Sequence, residues 1–468
     1  MVFSSLIFVF LFLPVTLLIY YISPMRIRNA VLLAASLIFY AWGEPVYIFL
    51  MIFSAVFDYV NGVLIDRYRH RKGIARGVLI LSMIGSLGIL GFFKYAGFVF
   101  DNINSLFNLH LQAADLPLPV GISFYTFQTM SYIIDVYRRK VPVQKNLIAF
   151  GAYVTMFPQL VAGPIVKYED IAGQLAKRTV TLERFGEGAE LFIRGLAKKV
   201  LLANNIGLLW TSVKVVPAGE LSVLSAWLGI VAFTFQIYFD FSGYSDMARG
   251  LGRMFGFEFM KNFDYPYISR SITEFWRRWH ISLGAWFREY IYIPLGGNRV
   301  GMLKQLRNLA VVWFITGLWH GASWNFIIWG LYFGLFVTLE KLILLKQLQR
   351  LPVFVSHVYT LMIVIIGWVF FEFEQLPAAL TFIGTMFGAG THGFADNRAL
   401  YDLSGNALLL LILTVCATPL PGKALARIRT RFARSGTIAT LVIYCIFIVA
   451  STAYLVNATY NPFLYFRF

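Results

Sequence analysis

The chain has 468 residues, of which 59% are hydrophobic and only 13% charged, about half the charged fraction of a soluble domain. Its length would allow two or three soluble domains. Apolar runs recur throughout, however, and no polar stretch is long enough to fold alone, so one membrane-embedded, all-α domain over residues 1–468 is expected. The net charge of +17 gathers in short segments between apolar runs, as cytoplasmic loops require. No basic stripe interleaved with exposed aromatics occurs, which sets nucleic acid aside and leaves membrane lipid headgroups and an anionic substrate as partners for the excess.

A spanning helix needs about 20 mostly apolar residues. The run 2–22 lacks a basic n-region and a small-residue cleavage site, so it reads as a retained first span. Further candidate spans follow at 30–42, 46–65, 77–93, 121–136, 147–161, 191–209, 221–241, 309–341, 353–373, 407–418 and 437–456. Several are too short to cross untilted and are expected to be re-entrant or buried in protein. Arg26 and Arg28 follow the first span, Arg67, Arg69, Arg71 and Lys72 the third, and Arg138, Arg139, Lys140 and Lys145 the fifth. Lys423, Arg427, Arg429, Arg431 and Arg434 separate the last two, whereas the segments 101–119 and 372–403 are poor in Lys and Arg. The positive-inside rule then places both termini, including the tail 457–468, outside the cytoplasm. Cys416 and Cys445 each lie in an apolar run and read as buried packing residues, not as a disulfide.

Residues 240–307 break the pattern, being amphipathic, aromatic and densely charged. This region is expected to form short helices and loops inside the bundle or at the cytoplasmic interface, with 272–293 helix-compatible. At its start, just after an apolar span, Asp240, Ser242, Tyr244, Ser245 and Asp246 form a polar insert with two readings, bonding partners for the arginines or a buried structural network, of which the second is preferred.

An ionisable group at membrane depth is costly, so its default reading is functional. His320 lies near the middle of the run 309–341, with no other ionisable side chain of the Asp, Glu, Lys, Arg or His types between Arg307 and Glu340. A neutral imidazole accepts a proton near pH 7, which suits a general base. The segment Glu274-Phe-Trp-Arg-Arg-Trp-His280 supports two readings. At helical spacing Arg277 and His280 fall near one face and Glu274 one turn before Arg278, a cationic lining with a second imidazole. The same pattern also fits an interfacial helix with Arg and Trp at the headgroups. No zinc spacing, Walker or dinucleotide pattern occurs, so no metal and no tightly bound cofactor is expected.

Linked motifs across nearly the whole chain resemble the membrane-bound O-acyltransferase family, in its bacterial alginate O-acetyltransferase-like branch. They are Pro119-Val-Gly-Ile-Ser-Phe-Tyr-Thr-Phe-Gln128, Phe157-Pro-Gln-Leu-Val-Ala-Gly-Pro164 and Phe239-Asp-Phe-Ser-Gly-Tyr-Ser-Asp246, then Asn262-Phe-Asp-Tyr-Pro-Tyr267 and Glu274 to His280. Tyr292-Ile-Pro-Leu-Gly-Gly-Asn298 and Thr316-Gly-Leu-Trp-His-Gly-Ala-Ser-Trp-Asn325 complete the set. The resemblance implies a ring of roughly 11–13 membrane helices around a thinned central tunnel. It assigns His320 as the catalytic histidine and His280 as a second active-site residue. Acetyl-coenzyme A is the implied donor substrate, with Asn325, Arg277, Arg278 and Lys261 as candidate substrate contacts.

The implied function is O-acetylation of a cell-surface polysaccharide from the bacterial inner membrane, through an extracytoplasmic esterase-like (SGNH) transferase as partner. The tail Phe463-Leu-Tyr-Phe-Arg-Phe468 resembles the C-terminal motif of a small membrane peptide in the related teichoic acid D-alanylation system. By that resemblance Tyr465 is a candidate acyl relay; the other reading is an aromatic interfacial anchor. A transporter with His320 lining its pathway and a non-catalytic scaffold are the rival classes.

Overall fold

A computed structural model describes every residue except 113–115, 162, 458–463 and 465–468; Tyr465 therefore lies outside the described residues. Among the described residues there is no strand, and helices carry almost all of the regular backbone. Seven are long and apolar enough to cross a membrane: Ile48–Arg67, Lys72–Phe107, Val223–Met254, Trp324–Leu348, Val353–Glu372, Asn397–Cys416 and Arg434–Asn457. The shorter apolar helices are Phe8–Ile22, Arg28–Ala41 and Leu376–Met386. The chain is thus an all-α, multi-pass membrane protein. Fewer helices pass as spans than the 11–13 expected, because several apolar runs are broken by turns. The run 147–161, for example, is interrupted at Met156, between Leu147–Thr155 and Phe157–Leu160.

Contacts divide the chain into two compact units, Met1–Phe192 with Ser245–Met260, and Ile193–Tyr244 with Lys261–Phe468. In the first, Ile48–Arg67, Lys72–Phe107 and Ile122–Tyr137 pack against one another. Gly62 and Gly85 permit close approaches, since a Cβ there would lie 2.9 Å from the Tyr132 ring and 2.7 Å from the Phe57 ring, respectively. The buried Asp58 carboxylate accepts hydrogen bonds from Ser82 Oγ at 2.6 Å and Ser86 Oγ at 3.2 Å. Those hydroxyls supply the hydrogen-bond partners that a buried carboxyl group needs.

The second unit departs from the sequence expectations in four places. The run 309–341 is not one span. It splits into Met302–His320 and Trp324–Leu339, joined by extended backbone at Gly321 and Ser323. The two helices pack antiparallel through glycines: a Cβ at Gly317 would lie 2.2 Å from the Phe326 carbonyl oxygen, and one at Gly330 would lie 2.3 Å from that of Trp313. His320 is therefore the last residue of a helix at the hairpin turn and does not sit mid-span.

The polar insert is likewise not a loop after a span, because Val223–Met254 runs through it as continuous helix. Its Asp240 pairs with buried Lys199 at 2.7 Å and not with the arginines of the 274–280 segment. Lys199 sits on a π turn, Lys198–Ala203. Finally, 272–293 is interrupted at Trp279 and His280, separating Ile272–Arg278 from Ile281–Phe287. Arg277 and His280 therefore do not share a helix face. The segment 372–403 also holds Leu376–Met386 and the start of Asn397–Cys416. Cys416 and Cys445 are free thiols, and Cys445 is exposed on an apolar span where a buried packing role was expected.

Candidate active site

The site begins with how Ile272–Arg278 is held. A helix leaves its first backbone N–H groups without intrahelical acceptors. Here Glu340, buried on a π turn (Glu340–Leu344), accepts from the Ile272 N–H at 2.6 Å and the Thr273 N–H at 2.8 Å. The Ser271 hydroxyl accepts from the Glu274 N–H at 3.0 Å. The helix is thus fixed at its start by a carboxylate that favours the positive end of the helix dipole.

At its far end the chain turns back on 262–264. The Asp264 N–H donates to the Arg278 carbonyl at 2.9 Å, and the Ile281 N–H to the Asn262 carbonyl at 3.0 Å. These bonds hold His280 in the left-handed region, φ 45°, a conformation uncommon outside glycine that persists only where the surrounding structure enforces it.

The His280 imidazole is 2% exposed. Its Nδ1 faces Asn262 Oδ1 at 3.3 Å, and the same oxygen accepts from the Ser282 N–H at 3.1 Å and Oγ–H at 2.9 Å. An amide oxygen only accepts, so Nδ1 carries the proton and Nε2 is the basic nitrogen. Burial pushes the pKa of this ring down, to about 3, so it is neutral at pH 7 and disfavours taking up a full positive charge.

His320, 3% exposed, is boxed by aromatic rings. Its ring centroid is 4.9 Å from Trp319, 4.8 Å from Trp329 and 5.4 Å from Phe371, each edge-on. The three rings enclose the imidazole in an apolar wall that leaves it almost no contact with water. Trp319 also contacts His280 at 6.1 Å, while Phe241 lies 4.8 Å from the His280 ring on another side. The structure therefore brings both predicted histidines to one indole, although 40 positions separate them in sequence.

The other predicted residues fare differently. Asn325 is buried and donates its amide to the Phe373 carbonyl, tying the hairpin to the end of Val353–Glu372; that N–H is committed to the scaffold. Arg278 is also a scaffold residue, bonded to Glu274 at 2.9 Å and to the Asp264 carbonyl at 3.0 Å. Lys261 pairs with Asp264. Arg277 is exposed and, alone of the three cations, makes no ion pair among the described residues. Sequence reasoning passed over Asn262, Glu340 and Lys199. Asn262 stood inside a quoted motif, but nothing local distinguishes its carboxamide from a turn residue.

Two buried imidazoles around one tryptophan, inside a helical membrane protein, place a candidate proton acceptor and a hydrogen-bonding ring away from water, an arrangement suited to acyl transfer to a hydroxyl. The chain belongs to the membrane-bound O-acyltransferase family: the profile of that family, MBOAT, matches residues 136–373. It is accordingly an acyltransferase. The probable alginate O-acetylase AlgI of Azotobacter vinelandii is 40% identical over the full length of both chains. The protein of the same description from Pseudomonas aeruginosa is 45% identical over 88% of this chain and 80% of its own. The peptidoglycan O-acetyltransferase of Helicobacter pylori is 35% identical over 83% of this chain and 80% of its own.

Proposed function

We propose that this acyltransferase moves acetyl groups from cytosolic acetyl-coenzyme A across the bacterial cytoplasmic membrane for O-acetylation of a cell-surface polysaccharide, with alginate or a similar polymer as final acceptor. The observation that carries this reading is the convergence of His320 and His280 on Trp319, in a chain whose relatives are named for polysaccharide O-acetylation. A hydroxyl attacks the thioester carbonyl, an O–C bond forms, and the C–S bond breaks. His320 takes the hydroxyl proton, and the departing thiolate of coenzyme A is reprotonated to the thiol. General-base assistance of this kind is worth typically 10²–10⁴-fold.

His280, with its basic Nε2 and low proton affinity, orients the hydroxyl and does not carry the proton. Arg277, exposed and outside any ion pair among the described residues, offers a guanidinium to the phosphates of coenzyme A.

The first hydroxyl acceptor in this scheme is Tyr465, which passes acetyl to an extracytoplasmic esterase-like transferase. Its sequence neighbour Leu464 supports the reading. The Leu464 N–H donates to Asp240 Oδ2 at 2.9 Å, and the residue after Asp240, Phe241, packs on His280.

Purified protein incubated with [acetyl-14C]-coenzyme A tests the scheme. Label retained on wild type, lost with His320→Ala, and absent from Tyr465→Phe despite continued thioester hydrolysis is the expected pattern. Undiminished turnover in His320→Ala would remove His320 as the base. A protein that leaves the thioester intact while a solute crosses proteoliposomes would be a transporter.

A further inference from the structure

In the first unit, three helix ends gather basic side chains around one cavity of about 340 Å³. Arg69 and Lys72 flank the turn between Ile48–Arg67 and Lys72–Phe107, and Arg138 and Arg139 follow Ile122–Tyr137. All four are exposed. The lining holds one carboxylate, Asp66, which Arg69 pairs with at 2.7 Å. Four cations thus face a single acid, and a buried apolar wall of Ile65, Ala75 and Val136 stands beside them.

Arg139 makes the arrangement more pointed. Its φ is 61°, the left-handed conformation that closes a helix and that glycine occupies with least strain. The loop is closed in the usual way, with the Arg139 N–H bonded to the Val136 carbonyl at 3.0 Å and the Lys140 N–H to that of Asp135 at 2.8 Å. Backbone geometry alone favours glycine here. What arginine adds is a guanidinium at the cavity rim.

We propose that this cavity binds the phosphate of an anionic phospholipid headgroup. The ligand chemistry is set by the cations, since guanidinium and ammonium groups bind phosphate by charge-assisted hydrogen bonds. The lipid source is set by the surroundings. Two of the three helices are long and apolar enough to cross a membrane, and away from the cavity-lining ends they carry exposed apolar side chains, among them Val56, Val60, Ile80 and Leu81, a surface for acyl chains. Basic pockets between membrane helices are suited to such headgroups. The site lies in a different unit from both histidines and does not depend on the acetyl-transfer scheme.

The test uses the full chain in detergent, with thermal unfolding and native mass spectrometry as readouts. Phosphatidylglycerol is expected to raise the unfolding midpoint and to stay bound in the spectrometer, whereas phosphatidylcholine, inorganic phosphate and free coenzyme A do neither. Arg139→Gly should match or exceed wild-type stability without lipid, yet bind phosphatidylglycerol about fivefold more weakly; adding Lys72→Gln should bring the loss to about 25-fold. An equal response to phosphatidylcholine would overturn the proposal, as would an equal response to inorganic phosphate or coenzyme A. So would full phosphatidylglycerol affinity in the double variant.

Discussion

Because the Asn262 carboxamide oxygen already accepts two hydrogens from Ser282, it meets His280 through Nδ1–H and so fixes the tautomer. Asn262→Ala should leave the Ser282 N–H without its acceptor, at a cost of about 1–3 kcal/mol, seen as a lower unfolding midpoint with slowed acetyl transfer. The pH dependence follows from the depressed pKa of His280, about 3 in the fold against about 6.5 unfolded. A depressed histidine contributes stability that is present above about pH 6.5 and is lost as pH falls through the interval toward 3. Unfolding midpoints of wild type should therefore drop between pH 7.5 and 5, and His280→Gln should flatten that drop. His320 was legible in the sequence as an ionisable group with nothing charged near it. Its aromatic box was not, since Trp329 and Phe371 reach it only through tertiary packing.

The hairpin at His320 shows what local pattern misses. An apolar run with few breaks reads as one long helix, and the glycines in it read as ordinary membrane-helix residues. Here Gly317 and Gly330 mark where two antiparallel backbones touch. Gly317→Ala or Gly330→Ala should cost about 1–3 kcal/mol by overpacking and displace His320. Gly405→Ala, inside Asn397–Cys416 with open space around it, is the control that should not lower the midpoint. Glu340 acts at the same scale. Glu340→Ala should lose the acceptor of two helix-start N–H groups, a cost of about 0.5–2 kcal/mol, together with activity, because the helix it holds leads directly into His280. Its position at the end of an apolar run concealed this, since a lone Glu there reads as an interfacial charge.

For the whole molecule, composition and loop charge were enough to give the class and the places of the apolar runs, because the cost of burying charge in lipid is large and acts on every span alike. The choice between spanning and broken runs needed long-range contacts. Orientation can be checked on one element. Lys72–Phe107 has 36 residues, about 54 Å of helix, longer than the roughly 30 Å hydrocarbon core. With Cys416 and Cys445 replaced by serine, Ser105→Cys should react with an impermeant maleimide in intact cells. His70→Cys, at the basic end, should react only after the cells are opened. The opposite pattern would invert the assigned topology.

The π turns have a consequence for how such chains change over generations. A π turn holds one residue more than the α-helical path around it, and each added residue rotates everything downstream by about 100°. Lys199 and Glu340, two buried charges of the second unit, both sit on such turns. Loss of a single codon there would swing the charge away from its partner and re-aim the rest of the helix, a larger disturbance than most substitutions at the same positions. Length variation among relatives should therefore avoid 198–203 and 340–344 and collect in the loops.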